Sequence, residues 1–135
     1  MREELSVRGL SPPISHYTDA VRFGDLLFVS GLTAHDENGA LVGAEDAAAQ
    51  TRQIFANLAR VLAAADAAPA DILKVTVFLT DISDRQAINP ERQAFFGASK
   101  PASTLVEVSA LALPGMKVEI EAVVGLRRPP LPAQA

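Results

Sequence analysis

Three glutamates lie inside apolar stretches toward the C-terminal end of this chain: Glu107 in Val106-Glu107-Val108, and Glu119 and Glu121 in Val118-Glu119-Ile120-Glu121-Ala122. The stretches flank the loop Leu113-Pro114-Gly115. Read as strands over residues 104–111 and 117–124, their period of two places Val118, Ile120 and Ala122 on one face and Glu119 and Glu121 on the other. A carboxylate in such a strand is costly if desolvated and unpaired. Each glutamate is therefore paired, solvated in a cleft, or kept as a proton carrier with a raised pKa.

Other chemistry-bearing residues are few. The chain has no cysteine, which removes thiolate nucleophiles, disulfides and Cys-based metal sites. His16 and His35 are its only histidines, and a catalytic zinc takes three protein ligands, so no metal is expected. Ser30 and Ser103 have no evident His/Asp relay, and their hydroxyls are expected to bind ligand or cap backbone. Tyr17, the single tyrosine, suits either a cleft or an interface. Gly31 either allows close backbone approach to a ligand or ends a strand.

The elements that must position these groups are legible from periodicity and turn residues. Residues 1–16 read as a lead-in segment, because Gly9 and Pro12-Pro13 break regular structure, and any order there must come from docking. Strands are predicted at 20–23 and 26–30 about the turn Gly24-Asp25, with a further small hairpin at 35–42 about Asn38-Gly39. Ile54, Leu58, Val61, Leu62 and Ala65 recur at helical spacing behind a cap at Asp46, with Arg52, Gln53, Asn57 and Arg60 mostly off that face. Residues 72–80 form a β-branched strand. Asp84 is predicted to cap a second helix through Phe96, bent or restarted near Asn89 by Pro90 and ended by Gly97. Residues 127–135 read as a frayed tail.

The expected fold is α+β, one domain over residues 1–135, with a single mixed sheet and both helices on one face. Yet Leu26-Leu27-Phe28-Val29 is apolar on both faces of its strand, and Leu105 and Val123 point away from the helix side. A second copy of the chain is the economical cover, so a homo-oligomer is predicted.

With 135 residues, a formal charge of −4 and 49% hydrophobic residues, the chain can bury a core but offers no basic surface for nucleic acid. The opening Met1-Arg2-Glu3-Glu4-Leu5 lacks a signal-like apolar core, and no apolar run approaches the ~18 residues of a membrane span. The expectation is a soluble, cytoplasmic protein with no membrane partner.

Several segments together resemble the YjgF/RidA family, also known as L-PSP endoribonuclease-like or translation-initiation-inhibitor-like proteins. They are His16-Tyr17-Thr18-Asp19-Ala20-Val21, Leu27-Phe28-Val29-Ser30-Gly31, Gln50-Thr51-Arg52, Asn57-Leu58, Val75 to Asp81, Lys100-Pro101-Ala102, and the two glutamate-bearing stretches. The resemblance implies a chorismate-mutase-like fold, a homotrimer around a central barrel, and clefts between subunits that take a small metabolite without metal or organic cofactor. It places Tyr17, Ser30, Gly31 and Asn89 around the cleft and makes Glu119 the carboxylate that orients or activates water. Glu107 and Glu121 are left with structural roles. In deaminating members an arginine after the Pro-Ala pair clamps the substrate carboxylate; here Ser103 stands there, followed by Thr104 and Leu105 as further substrate-binding positions.

A serine hydroxyl cannot imitate the planar, permanently charged fork of a guanidinium. Unless Arg22, Arg52 or His16 compensates, a small 2-imino acid should bind at least ~10-fold more weakly. The implied function is a cofactor-independent hydrolase or deaminase of a small imine, enamine or related metabolite, such as an aminomuconate-type substrate, and not an efficient 2-aminoacrylate deaminase. Imine hydrolysis needs water at carbon and a proton at departing ammonia, and one carboxyl, Glu119, can reach both. Glu119 satisfied by backbone donors or a subunit partner is the structural alternative, and a non-catalytic metabolite-binding trimer the functional one. Endoribonuclease activity is opposed by the acidic balance.

Overall fold

A computed structural model describes residues 1–127. Its elements are β1 (Arg2–Leu5), β2 (Ala20–Phe23), β3 (Leu26–Leu32), α1 (Ala47–Ala64), β4 (Ile72–Leu79), α2 (Arg85–Phe96), β5 (Ala102–Glu107) and β6 (Val118–Gly125). Short 3₁₀ turns at Pro69–Asp71 and Ile82–Asp84 precede β4 and α2. The strands make one sheet in the order β1-β2-β3-β6-β4-β5. Only β4 and β5 pair in parallel, and α2 is the crossover that such a pair requires. This is the expected single mixed sheet.

Both helices lie on the sheet face that carries Leu27, Val29, Val75, Val77, Val118 and Ile120, all buried. Asp46 accepts from the Ala49 N–H at 3.0 Å and starts α1, whose Ile54, Leu58, Val61 and Leu62 are almost fully buried. Each such side chain contributes ~1.5–3 kcal/mol by leaving water. α2 is held to α1 by an aromatic triad. Phe95 stacks on Phe55 with centroids 4.5 Å apart, and Phe96 meets both rings edge-on.

The lead-in segment contains a strand that the Gly and Pro signals do not reveal. β1 pairs antiparallel with β2, and the Val7 N–H donates to the buried Asp19 carboxylate at 2.7 Å while Thr18 Oγ1 donates to Leu5 C=O. After Pro101 the strand begins two residues early and stops at Glu107, not at residue 111. Leu79 pairs with Glu107 at the end of β4, so β5 runs out of neighbour there. The hairpin predicted at 35–42 shrinks to one bridge, His35 with Leu41, around a turn closed by Asp36 Oδ1 accepting from the Asn38 and Ala40 N–H groups.

Asp84 does not cap α2. Its own backbone is already helical, its carboxylate faces Lys117 at 3.2 Å, and Asp81 caps the preceding turn by accepting from the Ser83 N–H. α2 also runs unbroken past Pro90, which forgoes one backbone bond while the turns on either side carry the helix through. Of the expected tail, Arg127 is anchored to Asp71 by three hydrogen bonds, and the remainder lies outside the described residues.

Candidate active site

One irregularity in the sheet sets the site. Between β3 and β6 the register passes from Val29 opposite Ala122 to Leu32 opposite Ile120, so Ser30 and Gly31 together face the single residue Glu121. This is a β-bulge, a device that re-aims side chains beside functional clefts. A methyl group added at Gly31 would overlap Oε2 of Glu119 and lie 2.8 Å from its Cδ. Glycine is what lets the Glu119 carboxyl lie flat against the bulge.

The bulge floors a cavity of about 750 Å³ on the sheet face away from the helices. Its walls come from residues 11–15 and Tyr17, from Thr33, His35 and Gly39, and from Leu113 and Met116. Glu119 and Glu121 both line it. Glu119 is half-buried, and burial first, the Glu121 charge second, push its carboxyl above the usual carboxylate range. Among the described residues no hydrogen bond or ion pair holds it. Among the described residues no backbone donor satisfies it. Glu107 does take that role, accepting from the Ile82 N–H at 2.9 Å.

Two buried polar side chains of α1 fix the cavity walls. Gln50 donates to Gly43 C=O and Gly115 C=O, at 3.1 and 2.9 Å, and accepts from the Lys117 N–H at 2.8 Å. Asn57 donates to Thr33 C=O and His35 C=O, both at 3.0 Å. Sequence periodicity alone assigned neither a site role, and Asn57 is buried where it was expected off the core face. The missed signal is spacing: Gln50 lies four residues before Ile54, and Asn57 four before Val61, so both share the apolar face.

The remaining wall contacts are local. The Tyr17 hydroxyl accepts weakly from the Ile14 N–H at 3.3 Å, the Ser30 hydroxyl donates to Thr18 C=O at 2.6 Å, and Thr33 Oγ1 lies 2.7 Å from His35 Nδ1. Tyr17, Ser30, Gly31 and Glu119 thus converge on one cavity. Asn89, Ser103, Thr104 and Leu105 do not reach it. Asn89 lines a separate hollow of about 390 Å³ with Arg85, Arg92 and Lys100. On β5, Ser103 Oγ accepts from Arg92 Nη2 at 2.7 Å and Thr104 from Lys74 Nζ at 2.6 Å, while Leu105, expected on the uncovered face, sits opposite Val77 and packs partly into the core, which leaves Val106 on the bare face.

None of the expected substitutes for an arginine at position 103 is at hand. Arg22 donates to Gly24 C=O, Arg52 is paired with Glu91 at 2.7 Å, and His16 is exposed and outside the cavity lining. Among the described residues no cluster of His, Cys, Asp or Glu could hold a metal ion, and no helix is long and apolar enough to cross a membrane.

Residues 9–125 match the sequence profile of the Endoribonuclease L-PSP family. The chain belongs to the YjgF/RidA family. It is 36% identical over 123 residues to a RutC family protein of Pyrococcus horikoshii, covering 91% of this chain and 97% of that one. It is 34% identical to a 2-iminobutanoate/2-iminopropanoate deaminase of Salmonella typhimurium, covering 91% and 97% of the two chains. The crystal structure of the YjgF gene product from E. coli superposes with a TM-score of 0.84 at 31% identity, over 93% of this chain and 99% of that one. Within this YjgF/RidA fold the bulge, Glu119 and Tyr17 share one cavity, and the α2–β5 edge carries a second.

Proposed function

We propose that this chain is a cofactor-independent deaminase of the Rid type, which hydrolyses a small imine, or an enamine through its imine tautomer, to a carbonyl compound and ammonia. The observation that carries the reading is the Glu119 carboxyl: half-buried, bonded to no described group, and laid over Gly31 at a bulge in an open cavity. In its ionised form it takes a proton from water as the oxygen adds to the imine carbon. In its protonated form it gives that proton to nitrogen, completing a carbinolamine; the same carboxylate then takes the hydroxyl proton and passes it to the amino group, and ammonia leaves as the carbonyl forms. A carboxyl whose pKa is raised by burial is suited to both taking and returning a proton. The two carboxylates in the cavity repel phosphate, which speaks against ribonuclease chemistry.

The cavity opens on the face that no helix covers. Phe23 and Phe28 lie there, 61% and 47% exposed, with Val106 also exposed on β5. Their cover in this reading is a second and third copy of the chain, which turns each open cavity into a cleft between subunits that admits a small metabolite.

The test is ammonia release from imines generated in place by an amino-acid oxidase, for the native protein and Glu119→Gln. The native protein should accelerate release, and the variant should lose ~10²–10⁴-fold while still assembling. A native protein inert on every imine that still binds 2-oxo acids would make it a binding trimer. A single folded protomer in solution scattering would remove the shared cleft.

A further inference from the structure

Arg92 stands out among the arginines near the candidate site. Arg52, on α1, is neutralised by Glu91, the residue before Arg92 on α2, through two hydrogen bonds. Arg92 is half-buried on α2, and among the described residues no carboxylate lies within ion-pair distance of it. Its recorded partner is neutral: Nη2 donates to Ser103 Oγ at 2.7 Å. A guanidinium carries five N–H donors in one plane, so most of its fork remains open to a ligand. It lines the 390 Å³ hollow with Arg85 and Lys100, two more cations, and with the amide of Asn89. In a chain of net charge −4 this is a local concentration of positive charge around a concave surface.

We propose that Arg92, steered by Ser103, is the group that binds the carboxylate of the substrate, making this protein a deaminase of small imino or enamino acids. The inference rests on the deaminase reading above. Helix α2 delivers to the hollow the charge that β5 does not carry at position 103. The Ser103 hydroxyl, fixed at the edge of the sheet opposite Val75, holds one arm of the fork and leaves the rest to meet two carboxylate oxygens. Partial burial lowers the pKa of Arg92 from the ordinary guanidinium value. In its own chain Arg92 does not line the Glu119 cavity. A neighbouring copy must bring its α2–β5 edge to the cavity mouth, so the carboxylate end and the reacting end of one substrate are held by different protomers.

Calorimetric titration of the native protein with 2-oxobutanoate, with its methyl ester and with inorganic phosphate tests this directly. The acid should bind, and the ester and phosphate should bind at least ~10-fold more weakly. Arg92→Ala should weaken the acid by a similar factor, Arg92→Lys less, and Arg92→Ala combined with Ser103→Arg should restore binding by returning the fork to β5. The loss should appear in KM for the matching imino acid. Unchanged affinity in folded Arg92→Ala, or equal binding of the ester or of phosphate, overturns the assignment. Turnover of imines with KM untouched by Arg92→Ala sinks the clamp and leaves the deaminase reading intact. Arg92-dependent binding without turnover of any imine does the reverse.

Discussion

Gly31→Ala separates the space that catalysis needs from the stability of the fold. Gly31 does not occupy the left-handed region, so alanine fits its backbone and loses less conformational entropy on folding, worth ~0.4–1 kcal/mol in its favour. The added methyl meets the Glu119 carboxyl: it overlaps Oε2, and lies 2.8 Å from Cδ and 3.2 Å from Cγ. No backbone atom is among its three nearest neighbours. The side chain, whose carboxyl is bonded to nothing described, swings away by about 1 Å into the cavity at a cost of ~1 kcal/mol, the low end for overpacking. The two contributions nearly cancel, and the melting temperature should move by no more than ~3–5 °C.

Catalysis should respond very differently. A displacement of about 1 Å in a proton-transferring group costs ~10²-fold in rate. The assay is ammonia release under saturating imine beside a thermal melt of the same preparation. A fall of ~10²-fold in kcat with an unchanged melt is expected. Full activity in Gly31→Ala would mean that Glu119 does its work from some other position, and the bulge would lose its functional explanation.

Two further outcomes follow from the same geometry. The carboxyl of Glu119 has a folded pKa raised by burial and by Glu121, so its contribution to stability is complete below the usual carboxylate range and is lost as pH rises through the raised value. Glu119→Gln should therefore match the native melting temperature in acid and exceed it increasingly toward neutral pH; a constant offset across that window would contradict the burial. Gln50→Ala removes two donors and one acceptor from a fully buried position and strands Gly43 C=O, Gly115 C=O and the Lys117 N–H. Chemical denaturation should show a loss of roughly 2–4 kcal/mol. Activity should fall as well in the folded fraction, because the Gly115–Lys117 segment leads into the strand that bears Glu119.

The parts of the fold that periodicity encodes were legible: α1 and its cap, the alternation that sets Glu119 and Glu121 against Val118 and Ile120, and the bare sheet face at Phe28. β1 was hidden because four residues, three of them charged, show no apolar alternation, and their order comes from pairing with β2 and from Asp19. The end of β5 depends on where its partner β4 stops, a tertiary fact. Tyr17, Ser30, Gly31 and Glu119 were named together only through the family resemblance, and the bulge that joins Gly31 to Glu119 has no local signal beyond a serine-glycine pair in a strand. Arg92 was overlooked because a charged residue on a short amphipathic helix looks like ordinary solvated surface. Only its missing counter-ion and its bond to Ser103 set it apart.

The chain carries two concave surfaces with opposite chemistry. The cavity at the bulge holds two carboxyl groups, Glu119 and Glu121, while the hollow between α2 and β5 holds three cations and the amides of Asn89 and Gln93. A pocket of the first kind alone repels an anionic substrate, and a pocket of the second kind alone has no group to move a proton. In the proposed assembly they would face one another across a subunit boundary and form a dipolar cleft in which an imino acid would align in a single sense: carboxylate toward Arg92, imine nitrogen and carbon toward Glu119. The field of the cations would also draw in a negatively charged substrate that the cavity glutamates would otherwise keep out. Assembly, orientation and proton transfer are then one requirement, which is why the sheet face left bare by the helices bears both the aromatic residues that would hold copies together and the glutamate that would do the chemistry.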